Sequence, residues 1–364
     1  MSAVQSTKHD AAGHEAEPAL DVAAVADFVR RREAEGVTLK SAVLEHAALS
    51  RGLTVRRWDE TLLTVEVEGE VLPFVNMNGP SASVASRAFC DQKQLTSACL
   101  ERAGLSVASS RAFGLDQQRD AIAFAHGIGA PVVVKPNSAA RGRGVTLDIH
   151  DLDGLWRAWR VAAKIVAKRP GGRVIVEQYV VGDDYRCFVV GDRVVAATRR
   201  VRASVVGNGR DSVARLIAVK NRVRAKNPYL FRYPIPDELH ELDALRHAGL
   251  DLEHVPPPGQ RVTLRGTSNL ATGGDNVDVM DVMHPSFQEV AVRAVRAIPG
   301  MAYGGVDLLA RDISAAAEPT NHVVSEVEYA PGPGPLFPVE GTPRDVGGAV
   351  LAFYLARVGG ARPA

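Results

Sequence analysis

Apolar residues recur at helical spacing over 22–33 (Val22, Val25, Phe28, Val29), which predicts a first helix, and a second is predicted over 39–49. Between 61 and 74 the period changes to alternation around Glu68-Gly69, the mark of a β-hairpin. Helical spacing returns over 91–103, with Leu95, Ala98, Cys99 and the stem of Arg102 on one face and Gly104 as the stop. Short β-branched runs at 131–135 and 173–177 read as strands separated by a helix over 152–168. Two further strands, 185–190 and 193–201, flank Gly191-Asp192, a tight turn. Helices are predicted over 211–226 and 237–248, the second ending at Gly249. Pro256-Pro257-Pro258-Gly259 then marks a boundary before a strand over 261–264. A helix over 285–298 and strands over 305–309 and 322–328 follow. A closing helix is predicted with Thr342 as N-cap and Pro343 as its first residue.

No repeat of 20 to 50 residues interrupts this order. The fold class is α/β (α+β). The pattern divides into a disordered tail (1–20), an N-terminal α/β lobe (21–90), a middle lobe (91–200), a helical insertion (201–260) and a C-terminal lobe (261–358).

At 364 residues the chain suits two or three packed lobes. A net charge of +1 provides no global field toward nucleic acid or anionic membrane, and 5% aromatic residues argue against base-stacking platforms. No apolar run reaches the roughly 18 residues of a membrane span, and the polar N-terminus lacks a signal-peptide core. Three cysteines (Cys90, Cys99, Cys187), odd in number and without C-x-x-C, fit a reducing cytoplasm. A cytoplasmic protein binding neither nucleic acid nor membrane is therefore expected.

Lys135 ends a β-branched strand and precedes a loop of small residues and arginine (138–144), an arrangement for holding phosphates. The second strand ends in Glu177-Gln178-Tyr179-Val180, which could offer backbone groups and a carboxylate to a purine. Neither G-x-x-x-x-G-K-[ST] nor G-x-G-x-x-G occurs, so a P-loop or dinucleotide-binding motif does not supply the nucleotide site. Near the C-terminus, Glu326 and Glu328 are two apart and share a strand face, and Asp307 on the preceding strand could join them. Three converging carboxylates require a cation, and hard oxygen ligands suit Mg²⁺ shared with nucleotide phosphates. An alternating Glu-x-Glu is also a common solvent-facing strand edge; the rigid Tyr-Ala-Pro-Gly-Pro-Gly-Pro segment that follows favours a shaped site.

Lys93, Lys135, Arg141, Arg143, Arg186, Arg199, Arg200, Arg202, Lys220 and Arg265 are candidate anion contacts. Lys135 ranks first, and Arg265 second as the one charge in its segment. Arg222, Arg224 and Lys226 read as a solvated helix face. Neither the histidines nor the serines match zinc or nucleophile-elbow spacing.

Together these segments resemble the ATP-grasp superfamily of carboxylate–amine ligases, and are similar to the ATP-grasp domain of cyanophycin synthetases. The likeness runs from about 86 to 354. Val134-Lys135-Pro136 with Ala140-Arg-Gly-Arg-Gly-Val145 resembles the phosphate lysine and glycine loop. Glu177 to Arg186 resembles the adenine hinge, Leu264 to Gly274 the stretch after the helical insertion, and Gly305-Val-Asp307 with Glu326-Val-Glu328 the metal-binding end.

The resemblance implies that Lys93 and Lys135, with Arg141, Gly142 and Gly144, contact ATP phosphates. It implies that Glu177, Gln178 and the Tyr179–Val180 backbone hold adenine, and that Asp184 holds ribose. Asp307, Glu326 and Glu328 would hold Mg²⁺, or Mn²⁺ in its place. Arg265 would steady the transferring phosphoryl group, with Lys135 and Arg186 also catalytic.

Glu328 departs from the Asn usual in the family, keeping an oxygen ligand but adding a charge. Ala364 leaves no room for the Mur-ligase-like domain of cyanophycin synthetases, so a complete one is not expected. The implied activity is ATP-dependent amide or peptide bond formation on amino-acid or peptide substrates through an acyl phosphate; dimers and tetramers are common among such relatives, so a homo-oligomer is one of the states left open by the sequence. A phosphotransferase on the same fold and a non-catalytic nucleotide-binding protein are the alternatives.

Overall fold

The computed structural model describes residues 20–137 and 143–358; Arg141, Gly142 and nearly all of the expected tail lie outside the described residues. The chain begins with α1 (Val22–Ala34) and α2 (Leu39–Leu49), each opened by a side-chain cap. Asp21 accepts from the Ala23 and Ala24 amides, and Thr38 from that of Ser41. An antiparallel sheet of β1 (Thr54–Arg57), β2 (Leu62–Val67) and β3 (Glu70–Val75) follows. Its β2–β3 turn is the expected Glu68-Gly69, with both residues at positive φ as a two-residue type I′ hairpin requires.

The helix expected over 91–103 is α4 (Lys93–Arg102), and a further helix that was not expected, α3 (Val84–Asp91), precedes it across Gln92. The buried face of α4 also differs from expectation. Leu95 is 40% exposed, whereas Thr96 and Leu100 are buried. The Thr96 hydroxyl donates to the Phe89 carbonyl at 2.8 Å, satisfying a group left open at the end of α3, so a polar residue turns inward.

A four-stranded antiparallel sheet in the order β4-β7-β5-β6 comes next, built from β4 (Ser110–Phe113), β5 (Val132–Pro136), β6 (Thr146–Ile149) and β7 (Val174–Gln178). Helices α5 (Gln118–Ile128) and α6 (Leu152–Val166) cover one face, burying Val132, Val134, Val174 and Val176. Alternation therefore turns Val133, Lys135 and Glu177 to the other face.

The hairpin β8 (Asp183–Val190) and β9 (Arg193–Val201) does not continue this sheet. It pairs instead with the C-terminal strands, so the expected 91–200 lobe divides near 180. The segment expected as a helical insertion is closed at its base by a strand pair, β10 (Ser204–Val206) with β11 (Arg261–Thr263), and the expected boundary at 260 falls between these partners. Between them lie α7 (Val213–Arg224), two 3₁₀ turns and α8 (Asp243–His247). The helix expected over 237–248 breaks at Leu242, whose side chain is buried with Leu245 in the insertion's own core.

The chain then adds β12 (Asp275–Asp278), α9 (Pro285–Ala297), β13 (Tyr303–Ala310), β14 (His322–Glu328) and α10 (Val346–Val358). The larger sheet is antiparallel, in the order β12-β9-β8-β13-β14. Helix α10 starts later than expected, with Asp345 accepting from the Gly348 amide at 2.8 Å. The residues before it are committed elsewhere: Arg344 pairs with Asp278 and Asp281, and the Thr342 amide donates to Asp278.

Odd-numbered residues of β8 (Tyr185, Cys187, Val189) pack with α9 in one core. Even-numbered ones divide by position. Phe188 and Val190 are buried with Tyr303, α2, α10 and the small sheet, whereas Asp184 and Arg186 are left for a site. The N-terminal lobe therefore sits on the same face of the sheet as these charges, against its far end. Among the described residues no helix is long and apolar enough to cross a membrane.

Arg224, expected on a solvated face, is only 4% exposed and holds Asp275 at 2.6 Å and the Tyr233 and Gly274 carbonyls. The Asp275→Ala substitution strands that buried guanidinium and is expected to cost about 3–5 kcal/mol of stability, measured as a lower urea midpoint.

Candidate active site

The two larger sheets enclose a cleft of about 830 Å³, a size ordinary for small-molecule and cofactor sites. Val133, Lys135, Glu177, Gln178, Tyr179 and Val180 line one wall; Asp184, Arg200, Ser268, Leu309 and Ser325 line the other. On the first wall the Lys135 ammonium lies 2.6 Å from both oxygens of Glu177, one strand away. A half-buried charge pair side by side at the end of two valine-rich strands is poised for exchange, because an incoming polyphosphate can take the lysine. The Tyr179 amide donates to Pro131 at 3.1 Å and the Gln178 amide to Ser109 at 2.9 Å. These two amides are committed, which leaves the Tyr179 carbonyl and the Val180 backbone as the groups available to a purine. Gly144 has φ +73°, and a Cβ there would lie 2.4 Å from Ile165 on α6, so glycine lets this end of the loop pack against the helix.

The second wall leads into a strip of alternating charge, of which Asp184 and Arg200 line the cleft. In register across β8 and β13, Arg186 faces Asp307, and across β13 and β14, Asp307 faces Glu326 and Gly305 faces Glu328. Arg186 grips both Asp307 oxygens, the Nη2–Oδ2 bond being 2.9 Å, and reaches Glu328 with Nη1. Arg200 holds Asp307 at 3.0 Å and lies 3.9 Å from Asp184. Lys93, the first residue of α4, holds Glu326 at 3.0 Å.

Burial alone would raise the Asp307 pKa, but the guanidinium groups of Arg186 and Arg200 outweigh it and hold the carboxyl down at about 2. Burial likewise raises Asp184, against the pull of Arg200, and the Ser268 hydroxyl donates to it. Asp184 is thus part of the charged strip as well as of the cleft lining, the position from which a ribose role would have to act.

Two groups of expected site residues are held by other partners in this structure. The carboxylates of Asp307, Glu326 and Glu328 share a face but do not converge: among the described residues no three His, Cys, Asp or Glu side chains form a ready metal cluster. The Arg186 fork stands between Asp307 and Glu328, and Lys93 draws Glu326 aside. Arg265 is not among the cleft-lining residues. Its Nε lies 3.1 Å from Asp243, and the guanidinium also meets the Glu241 carbonyl, so in this structure it faces the insertion.

The strip gathers four carboxylates (Asp184, Asp307, Glu326, Glu328) and four cations (Arg186, Arg200, Lys93 and, from α2, Lys40). A balanced set fits a divalent cation when a polyphosphate arrives with it, since the anion engages the lysine and arginine donors and frees carboxylate oxygens. Lys40 and Tyr229 border this strip without any motif in the sequence to mark them, whereas Ser268 lies in the Leu264–Gly274 segment.

Residues 90–215 match the family described as the RimK-like ATP-grasp domain. Cyanophycin synthetase of Nostoc sp. is 37% identical over 270 residues, covering 72% of this chain and 28% of that protein. The glutathione biosynthesis bifunctional protein GshAB of Mannheimia succiniciproducens is 33% identical over 295 residues, covering 78% of this chain and 38% of that protein. The chain thus spans well under half the length of these curated relatives. A bifunctional glutathione synthetase from Pasteurella multocida superposes with a TM-score of 0.66 at 29% identity, over 88% of this chain and 44% of that one.

The depressed Asp307 pKa has a testable sign. A carboxyl held below its unfolded value of 3.8 contributes stability that is complete above that pH and lost as pH falls toward about 2. Asp307→Asn is therefore expected to be less stable than the parent at pH 7. The gap in unfolding free energy should narrow as pH is lowered from 4 toward about 2.

Proposed function

The chain belongs to the ATP-grasp superfamily, and from that premise we propose that it is an ATP-dependent carboxylate–amine ligase acting on amino acids or short peptides. One observation carries the reading. A cleft has a lysine–glutamate pair at the ends of two strands on one wall, and on the other Arg200, which leads from the cleft to an ionised aspartate in a strip of arginine and lysine partners.

A carboxylate is a poor electrophile, because an amine attacking it would have to expel oxide. Transfer of the γ-phosphoryl group of ATP to the carboxylate makes an acyl phosphate, from which phosphate leaves readily when the amine attacks. The products are an amide, ADP and phosphate.

Little covalent chemistry falls to the protein in such a transfer; its work is positioning and charge stabilisation. Lys135 exchanges Glu177 for a phosphate oxygen, and Glu177, so released, becomes an acceptor on the purine side. Lys93 and Arg200 exchange carboxylate partners for the developing phosphoryl charge. Arg186 stays with Asp307 and Glu328 and keeps their oxygens fixed. Asp307, Glu326 and Glu328 would hold Mg²⁺ or Mn²⁺, which when bound neutralises phosphate charge.

The test is ADP release with Mg²⁺-ATP across amino acids, singly and in pairs, with mass spectrometry of the products. A product one water lighter than the sum of two substrates is expected; a stable phosphorylated product instead would assign a phosphotransferase. Lys135→Ala and Glu326→Ala are each expected to lower amine-dependent ADP release by about two orders of magnitude or more, with unchanged thermal unfolding. Undiminished turnover in both would overturn the assignment of the site.

A further inference from the structure

The charged strip continues past the cleft to a third wall supplied by the N-terminal lobe and the insertion. On β8 and β13 the cleft rim lies at Asp184 and Leu309, while Phe188 and Gly305, level with Glu328, lie four residues further on. That is roughly 13 Å along the strands at about 3.3 Å per residue.

Two donors arrive there from distant parts of the chain. Lys40, the second residue of α2, donates to the Ala330 carbonyl in the loop after Glu328. Burial lowers its pKa, with Glu328 opposing that effect and Arg186 adding to it, and the bond to Ala330 sets the ammonium two residues along the chain from Glu328. Tyr229 reaches in from the insertion. A Cβ on Gly332 would lie 2.7 Å from its hydroxyl oxygen, and one on Gly334 3.2 Å from its ring, so glycine at both positions lets the ring lie against the loop. Burial raises the phenol to about 12, and Arg186, Glu328 and Arg200 are among the charges that act on it.

Lys40 and Tyr229 each carry donor hydrogens without a partner among the described residues. An ammonium carries three N–H groups and Lys40 commits one to Ala330. The backbone of Tyr229 is hydrogen-bonded, but its hydroxyl makes no hydrogen bond among the described residues. The carboxylates close by, Asp307 and Glu328, are already engaged by Arg186 and Arg200. A cationic group would be repelled by Lys40 and Arg186; an anion with two acceptor oxygens would fill the open donors.

We propose that Lys40 and Tyr229 bind the carboxylate of the acid substrate, beyond the phosphate end of the cleft, so that the N-terminal lobe is part of the active site. The assignment rests on the ligase reading. It separates the ends of the cleft by charge: the Lys135 end takes the nucleotide, and the Lys40 end takes the acid.

The test is calorimetric titration of the full chain, saturated with Mg²⁺ and a non-hydrolysable ATP analogue, with free amino acids, dipeptides and their fully amidated forms. At least one acid is expected to bind and its amidated form not to. Lys40→Met should weaken that acid by about tenfold or more, the loss of a charge-assisted bond, and Tyr229→Phe by about three- to tenfold. Affinity for the analogue should fall by less than affinity for the acid in both, and Lys40→Arg should recover part of the loss, which a merely structural role for Lys40 would not predict. Equal acid binding by the folded Lys40→Met and Tyr229→Phe proteins would overturn the subsite. So would an analogue-saturated parent protein that binds no acid of the panel. Failure of the parent to bind the analogue at all would instead remove the ligase reading, and the subsite with it.

Discussion

One guanidinium organises the charged face of the larger sheet. Arg186 is largely withdrawn from solvent, its side chain 12% exposed, and taking a charge out of water is tolerable only if the partners repay the lost hydration. It meets that condition with Asp307 through two bonds and Glu328 through a third. A planar fork can span two carboxylates on neighbouring strands at once, which a lysine's single ammonium does less well. Asp307 is ionised because of it, Glu328 is oriented by it, and Arg200 and Lys93 complete a strip in which no carboxylate is left to repel another.

Strand β8 shows how the same periodicity builds both site and core. Its odd positions are apolar and face α9. Its even positions change along the strand from Asp184 and Arg186 to Phe188 and Val190. The change marks where cleft gives way to N-terminal lobe. Local sequence therefore sets not only which face is polar but how far the polar stretch extends before another part of the chain covers it.

Much of this was legible in the sequence. The acids of β13 and β14, Lys135, the hinge after β7 and the β8–β9 hairpin each lie in short segments whose alternation names a face. Strand partnership was not legible, because a period of two fixes orientation and says nothing about which neighbour the strand joins; hence the β8–β9 hairpin sat in the wrong lobe. Thr96 misled the reading of α4 because its burial follows from a carbonyl at the end of another helix. Arg265 looked unopposed only because its partner, Asp243, comes from the insertion. Lys40 and Tyr229 carry no motif: what makes them notable is proximity to Glu328, across 288 and 99 residues of chain respectively. The four-residue strands β4 and β6 offered too few positions for any period to show.

The register of β13 and β14 shifts between Asp307, opposite Glu326, and Leu308, opposite Val324, so Ser325 is an extra residue in β14. In a flat strand Val324 would share a face with Glu326 and Glu328. The extra residue lets Val324 and Val327 both enter the apolar core while Ser325, Glu326 and Glu328 stay polar. A single-residue insertion thus concentrates three oxygen-bearing side chains within four positions. Descendants of this sequence are free to vary the flanking loops, but deleting one residue here would force a choice between exposed valines and buried glutamates.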